Sequence, residues 1–325
     1  MSAQLPPAPL TPVGPALGRF ITTESVVLAV NVQLSKLPER GAATTAYSAI
    51  SSAGGGFTLL SVVAAQGIDT NLAAPLGTGP NSSLARRQLA AARINTLTDV
   101  FVGDIGVAMV FVEDDGNNTT VRTPGVESEP TLAGLEAIEL HPGDLVHISG
   151  TDLATPQSDV VVEWGSRLPD DVTMVLAISP AVQEVSTDVW AQLLPRADVV
   201  TMNIREAAYL SRFLDQSSPG TGIRHIMRPE AAVVRRLGVM GCEVQATRDA
   251  DMVNIPSYQS YRVDTTGVGD THVAAMCAGL LQGLDLVGAC QRANAAAALM
   301  VARGSTPQAP TAAEIDGVIQ RGTVL

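Results

Sequence analysis

The feature that most constrains this chain is an alternation that sets in at Thr131 and runs to Met202. Leu145-Val146-His147-Ile148 is a short apolar run, Asp159 to Arg167 a helical one, Met174 to Ile178 apolar again, Val189 to Leu194 helical, and Val199 to Met202 apolar. Strands that are apolar throughout are buried on both faces, and strands separated by helix-length segments pair in parallel. The pattern predicts an α/β domain, a doubly wound, mostly parallel sheet with helices on both faces. Ligands of such sheets bind beyond the carboxyl ends of the strands, where the polar and glycine-rich stretches of this chain fall.

The most informative stretch is Val263-Asp264-Thr265-Thr266-Gly267-Val268-Gly269-Asp270-Thr271, followed by a small-residue run from Ala274 to Leu281. Two glycines let the backbone turn sharply and approach a ligand, and the apolar run predicts a helix beginning at or just after Asp270. Free amides at such a helix start form an anion site. Asp270 would repel a phosphate held there, so it reads as a base or a metal contact, or else simply as the cap of its helix. Residue type and spacing leave these open.

Other stretches are locally readable. Ser25 to Leu34 has the β-branched content of a strand, and Pro38 to Gly41 closes it. Ala53-Gly54-Gly55-Gly56-Phe57-Thr58 is a glycine turn feeding a buried helix that stops at Gly67. Ser82 to Arg93 reads as a helix. Gly106 to Glu113 and Thr119 to Val121 flank an Asp-Gly-containing turn and form a hairpin. Asn203 is an N-cap after a strand, and Glu206 completes a capping-box arrangement. Ala231 to Val244 reads as strand, glycine turn and strand. Leu286 to Arg303 and Thr311 to Gln320 read as helices.

The run Asp264-Thr-Thr-Gly-Val-Gly-Asp270 resembles Asp-Thr-x-Gly-Ala-Gly-Asp, the C-terminal signature of the ribokinase family of carbohydrate kinases, also called the phosphofructokinase B family. The resemblance covers most of residues 25 to 320. It implies a ribokinase-like fold in which a small β-sheet serves as lid. Residues 1–24 would be a Pro-rich leader and 25–325 one kinase domain, with lid strands from about 25–50 and 100–125. It also implies ATP-dependent phosphorylation of a hydroxyl on a sugar or sugar-like small molecule, with Asp270 as base and the amides of Gly267, Val268 and Gly269 as anion hole. Asn203 and Glu206 are similar to a family motif that organises hydrated Mg2+, and Asp264 and Thr266 to positions that help hold a monovalent cation, K+, in some relatives. Arg236, Gly238, Gly241 and Asn294 correspond to the ATP-binding strand, turn and helix, and Gly54, Gly55 and Thr58 to the substrate loop. A homodimer through the lid is the expected assembly.

The chain also departs from the family. Ala29 stands where relatives carry a sugar-gripping Asp, Gly55 where they carry Lys, Thr58 where they carry Asn, and Arg236 where they carry a small hydroxyl residue. Two alternatives follow: a nucleoside kinase of the same family, and a non-catalytic sugar- or nucleotide-binding regulator with a degenerate substrate site.

Composition narrows the classes. A net charge of −12 opposes nucleic acid or an anionic membrane as partner. Lys36 is the only lysine, and no Gly-Lys-Ser/Thr occurs, which excludes a P-loop. A dinucleotide fingerprint lacks its third glycine at His272, which reads as a core residue. Cys242, Cys277 and Cys290 lack metal-ligand spacing and read as buried reduced thiols. The remaining histidines, His141, His147 and His225, are scattered. With no basic n-region and no run of membrane-spanning length, the expected location is cytoplasmic.

Overall fold

The computed structural model describes residues 14–115, 117–213, 222–261, 265–303 and 308–324. A nine-stranded sheet runs in spatial order Val253–Ile255, Cys242–Gln245, Ala232–Arg236, Val199–Asn203, Thr173–Ala177, Leu145–Ser149, Phe20–Thr22, Thr70–Leu72 and Ile94–Thr96. Neighbours are parallel from Ala232–Arg236 through Ile94–Thr96, and the two strands at the other edge are antiparallel. The α-helices are α1 (Phe57–Ala65), α2 (Pro80–Ala91), α3 (Leu132–Glu136), α4 (Ser158–Ser166), α5 (Thr187–Leu193), α6 (Ile204–Phe213), α7 (Val268–Leu281), α8 (Leu286–Arg303) and α9 (Ala312–Arg321).

The two-residue period of a strand divides the apolar residues between two cores. Phe20, Leu145, Val175, Val199 and Val234 pack with α1, α2, α7, α8 and α9. Their neighbours Ile21, Val146, Met174, Val200 and Val233 pack with α3, α4, α5 and α6. Each such side chain removed from water stabilises the fold by roughly 1.5–3 kcal/mol. The doubly wound architecture follows from that division.

A second, four-stranded sheet has the order Ser48–Gly55, Val26–Gln33, Val107–Val112, Asn118–Thr123. Val26–Gln33 is antiparallel to Ser48–Gly55 and parallel to Val107–Val112. It is half-exposed, so it lacks a helix layer on one face.

Two boundaries that bear on the site differ from the sequence reading. Phe20–Thr22 is fully buried and hydrogen-bonded in the large sheet, between Leu145–Ser149 and Thr70–Leu72. The folded domain therefore begins before residue 25. Three residues following a proline-rich stretch carry no periodicity that would mark them as a strand. The proline-rich residues 1–13 lie outside the described residues. Helix α7 starts at Val268 with Gly267 as its N-cap, so Asp270 lies inside the first turn and is not the cap.

Candidate active site

Gly267 has φ 70°, a left-handed conformation in which an L side chain is strained. It turns the chain into α7, whose first amides have no partner one turn back. Of these, the Val268 N–H makes a long bond of 3.4 Å to the Thr265 carbonyl. Asp270 projects from this first turn. Burial raises its proton affinity, and Arg236 opposes the rise. Thr58, in the first turn of α1, lies against the same turn: a Cβ on Gly267 would sit 3.1 Å from its Cγ2. The glycine loop and the start of α7 are thus adjacent. Within the loop, Gly54 packs on Ala29, where a Cβ on the glycine would come within 2.6 Å of the alanine methyl, and Gly55 has φ 62°.

Two neighbouring parallel strands end at Asn203 and Arg236, which are register partners. The Asn203 N–H and Nδ2 donate to Glu206 Oε2 and Oε1 at 2.7 and 2.6 Å. The Asn203 Oδ1 accepts from the Arg205 and Glu206 amides at 2.8 and 2.9 Å. This reciprocal cap fixes Glu206. Arg236 Nη2 donates to Glu206 Oε2 at 3.0 Å, and Nη1 to the Gly269 carbonyl at 3.2 Å. Burial raises the Glu206 proton affinity, Arg236 and the Asn203 amide lower it, and Asp270 raises it. Asn203, Glu206, Arg236, Gly269 and Asp270 therefore form one connected group at the carboxyl ends of the strands.

The Glu206 oxygens are already engaged, so this pair does not fit direct coordination of a magnesium ion. Among the described residues no three His, Cys, Asp or Glu side chains cluster to hold a metal. A carboxylate oxygen keeps a second lone pair, and the pair fits a hydrated ion reached through water.

Gly238 and Gly241 bracket a short 3-10 turn between Ala232–Arg236 and Cys242–Gln245, with Val239 exposed at its tip. Asn294, expected beside ATP, is buried in α8. Its Nδ2 donates to the carbonyls of Ile255 and Pro256 at 3.0 and 3.2 Å, so it holds the edge strand in place. Thr266 is exposed in the turn before Gly267, and Asp264 lies outside the described residues. His272 is buried, and the three cysteines are buried and free.

The structure adds residues that sequence reading missed. Thr22 ends the short central strand, and Thr23 and Glu24 follow. His147, opposite Thr22 in register, bonds the Thr22 hydroxyl through Nδ1 at 2.9 Å. Burial and the charge of Arg236 lower its pKa to about 3, so it is neutral. Asp152 is buried below Ser25, and burial raises its pKa to about 7 against three hydrogen bonds. The signal available was the polar trio Thr22-Thr23-Glu24 before an apolar run, hidden by the short strand it terminates.

A glycine-opened helix start with a carboxylate in its first turn, set at the carboxyl ends of a doubly wound sheet beside a small second sheet, is the arrangement of a kinase of small molecules on the ribokinase fold. The pfkB family of carbohydrate kinases matches residues 29–312, and the chain belongs to that family. It is 30% identical over 251 residues, 77% of either chain, to an uncharacterized sugar kinase, YegV, of Escherichia coli. It is 26% identical to the ATP-dependent ribose-1-phosphate kinase of Halopiger xanaduensis over 90% of this chain and 95% of that one. The ribokinase of Thermotoga maritima superposes with a TM-score of 0.78, covering 93% of this chain and 99% of that one at 18% identity.

Proposed function

We propose that this protein transfers the γ-phosphoryl group of ATP to a hydroxyl of a sugar or sugar-like molecule, with Asp270 as base. One observation carries the reading: the glycine turn that opens α7, with Asp270 in the first turn behind it, lies against the glycine loop at Thr58. The acceptor hydroxyl oxygen attacks the γ-phosphorus, the bond to the ADP oxygen breaks, and the hydroxyl proton passes to Asp270. The amides of Gly267, Val268 and Gly269 face the charge that develops on the transferring group, and such preorganised donors supply much of the catalysis in reactions of this kind. Gly238 and Gly241 shape the nucleotide turn, and Arg236 holds Glu206 and the Gly269 carbonyl in place beside it. A hydrated magnesium ion near Asn203 and Glu206 would neutralise nucleotide phosphate charge; K+ beside Asp264 and Thr266 belongs to the same proposal. Gly54 and Gly55 shape the acceptor loop, with Thr58 at its end.

Ile50 and Val121, exposed on the small sheet, and Tyr47, exposed just before it, support pairing of two copies through that sheet. The nucleoside-kinase alternative is not favoured, because the curated relatives above are named for sugar substrates. The test is ADP release from ATP and magnesium across pentoses, hexoses, sugar acids, sugar phosphates and nucleosides. Acceptor-dependent release with a sugar supports the proposal, and release with nucleosides alone contradicts it.

A further inference from the structure

The expected sugar-gripping position carries no polar side chain, since it is Ala29, packed on Gly54. An acidic residue, Glu24, packs against the same loop. The Gly56 amide donates to the Ser25 carbonyl at 2.9 Å, and a Cβ on Gly56 would lie 2.5 Å from the Glu24 carbonyl oxygen and 3.1 Å from its Cβ. The loop is thus seated directly on Glu24. Both residues flanking Glu24 are held by Asp152: the Ser25 N–H and hydroxyl donate to Oδ1 at 3.2 and 3.1 Å, and the Thr23 hydroxyl to Oδ2 at 3.3 Å. The Glu24 amide is itself tied to the Thr22 hydroxyl at 3.0 Å. The backbone is fixed on every side.

The carboxylate that this frame presents is left unused. Its side chain is only 13% exposed, the nearest basic group is the neutral His147 ring at 4.0 Å, and no hydrogen bond among those of the described residues reaches it. Burial raises its proton affinity most, and the charges of Asp270 and then Asp152 raise it further. A mostly buried carboxylate without donors is costly, and donors from a ligand relieve that cost.

We propose that Glu24 is the acceptor-binding and specificity-determining residue of this kinase. It receives hydrogen bonds from hydroxyls of an uncharged, polyhydroxylated substrate, in place of the side chain missing at Ala29. Because Asp152 binds both residues that flank Glu24, a second carboxyl group stands close by, and the pocket disfavours acceptors that carry carboxylate or phosphate. The inference rests on the kinase reading for Asp270, and the experiment separates the two.

Calorimetric titration without nucleotide compares matched uncharged and anionic probes: D-ribose with ribose 5-phosphate, D-fructose with fructose 6-phosphate, and D-glucitol with D-gluconate. The wild type binds at least one uncharged probe at least tenfold more tightly than its anionic partner. Glu24→Gln weakens that binding at least tenfold while ATP affinity stays unchanged and the melting temperature does not fall, and Glu24→Asp restores part of it. The proposal is overturned if no uncharged probe binds, if an anionic probe is the tightest, or if Glu24→Gln binds within twofold of wild type. Binding as described without ADP release in the presence of ATP and magnesium overturns the kinase reading and leaves Glu24 as a sugar ligand.

Discussion

Arg236 and Glu206 meet at 3.0 Å across the ends of two neighbouring parallel strands, and the same guanidinium reaches the carbonyl of Gly269 beside the proposed base. The Glu206 side chain is 4% exposed and that of Arg236 14%, so this pair is largely withdrawn from water. Removing one partner of such a pair leaves an uncompensated charge.

Arg236→Gln is therefore expected to destabilise the fold by about 3 kcal/mol, read by denaturant unfolding. It also acts on the pH dependence of turnover. Burial raises the Asp270 pKa and Arg236 holds it down. Without the guanidinium, the acid limb of the kcat profile moves to higher pH. An unmoved limb would show that Arg236 does not act on Asp270.

Gly267→Ala tests the turn that opens α7. The left-handed backbone at φ 70° costs an alanine about 1–2 kcal/mol, and its methyl would stand 3.1 Å from Thr58 Cγ2. We expect a folded protein with a lower melting temperature and turnover reduced more than tenfold. Retained turnover would mean that the amides of this turn do not contact the transferring group.

Asp152 gives stability a pH signature. Its pKa rises from 3.8 to about 7 on folding, so the folded state binds the proton more tightly. The stability this contributes is present below 3.8 and is lost as pH rises through about 7. His147 has the opposite slope: its pKa falls from 6.5 to about 3, so its contribution is lost as pH falls. It is common to wild type and Asp152→Asn, so the difference between the two isolates Asp152. Unfolding free energies should show that difference shifting in favour of Asp152→Asn between pH 5 and pH 8. A constant difference would contradict the raised pKa.

The layers of the fold were legible because the strands from Leu145 onward are apolar on both faces, and that pattern has few alternatives. The strand Phe20–Thr22 was not, since three residues cannot display a period, and its company of prolines pointed elsewhere. With it went Glu24, whose importance comes from packing against Gly56 and Asp152, contacts that span about thirty and over a hundred residues of sequence. The glycine signature located Asp270, but helix spacing could not tell whether the turn began at Gly267 or three residues later. The position of Asn294 on an Ala-rich helix was readable, but the carbonyls of Ile255 and Pro256 that bind its amide were not, because they lie about forty residues away in sequence.

The most direct measurement is the turnover of Asp270→Asn beside the wild type, with ATP affinity determined for both. The change is nearly isosteric and removes only the ability to take the acceptor proton. If Asp270 is the base, acceptor-dependent ADP release falls by at least a hundredfold while ATP affinity stays within about threefold, since general-base catalysis contributes roughly 10²–10⁴ in rate. Turnover within tenfold of wild type, a barrier change of only about 1.4 kcal/mol, would contradict the assignment on which the account of this site rests.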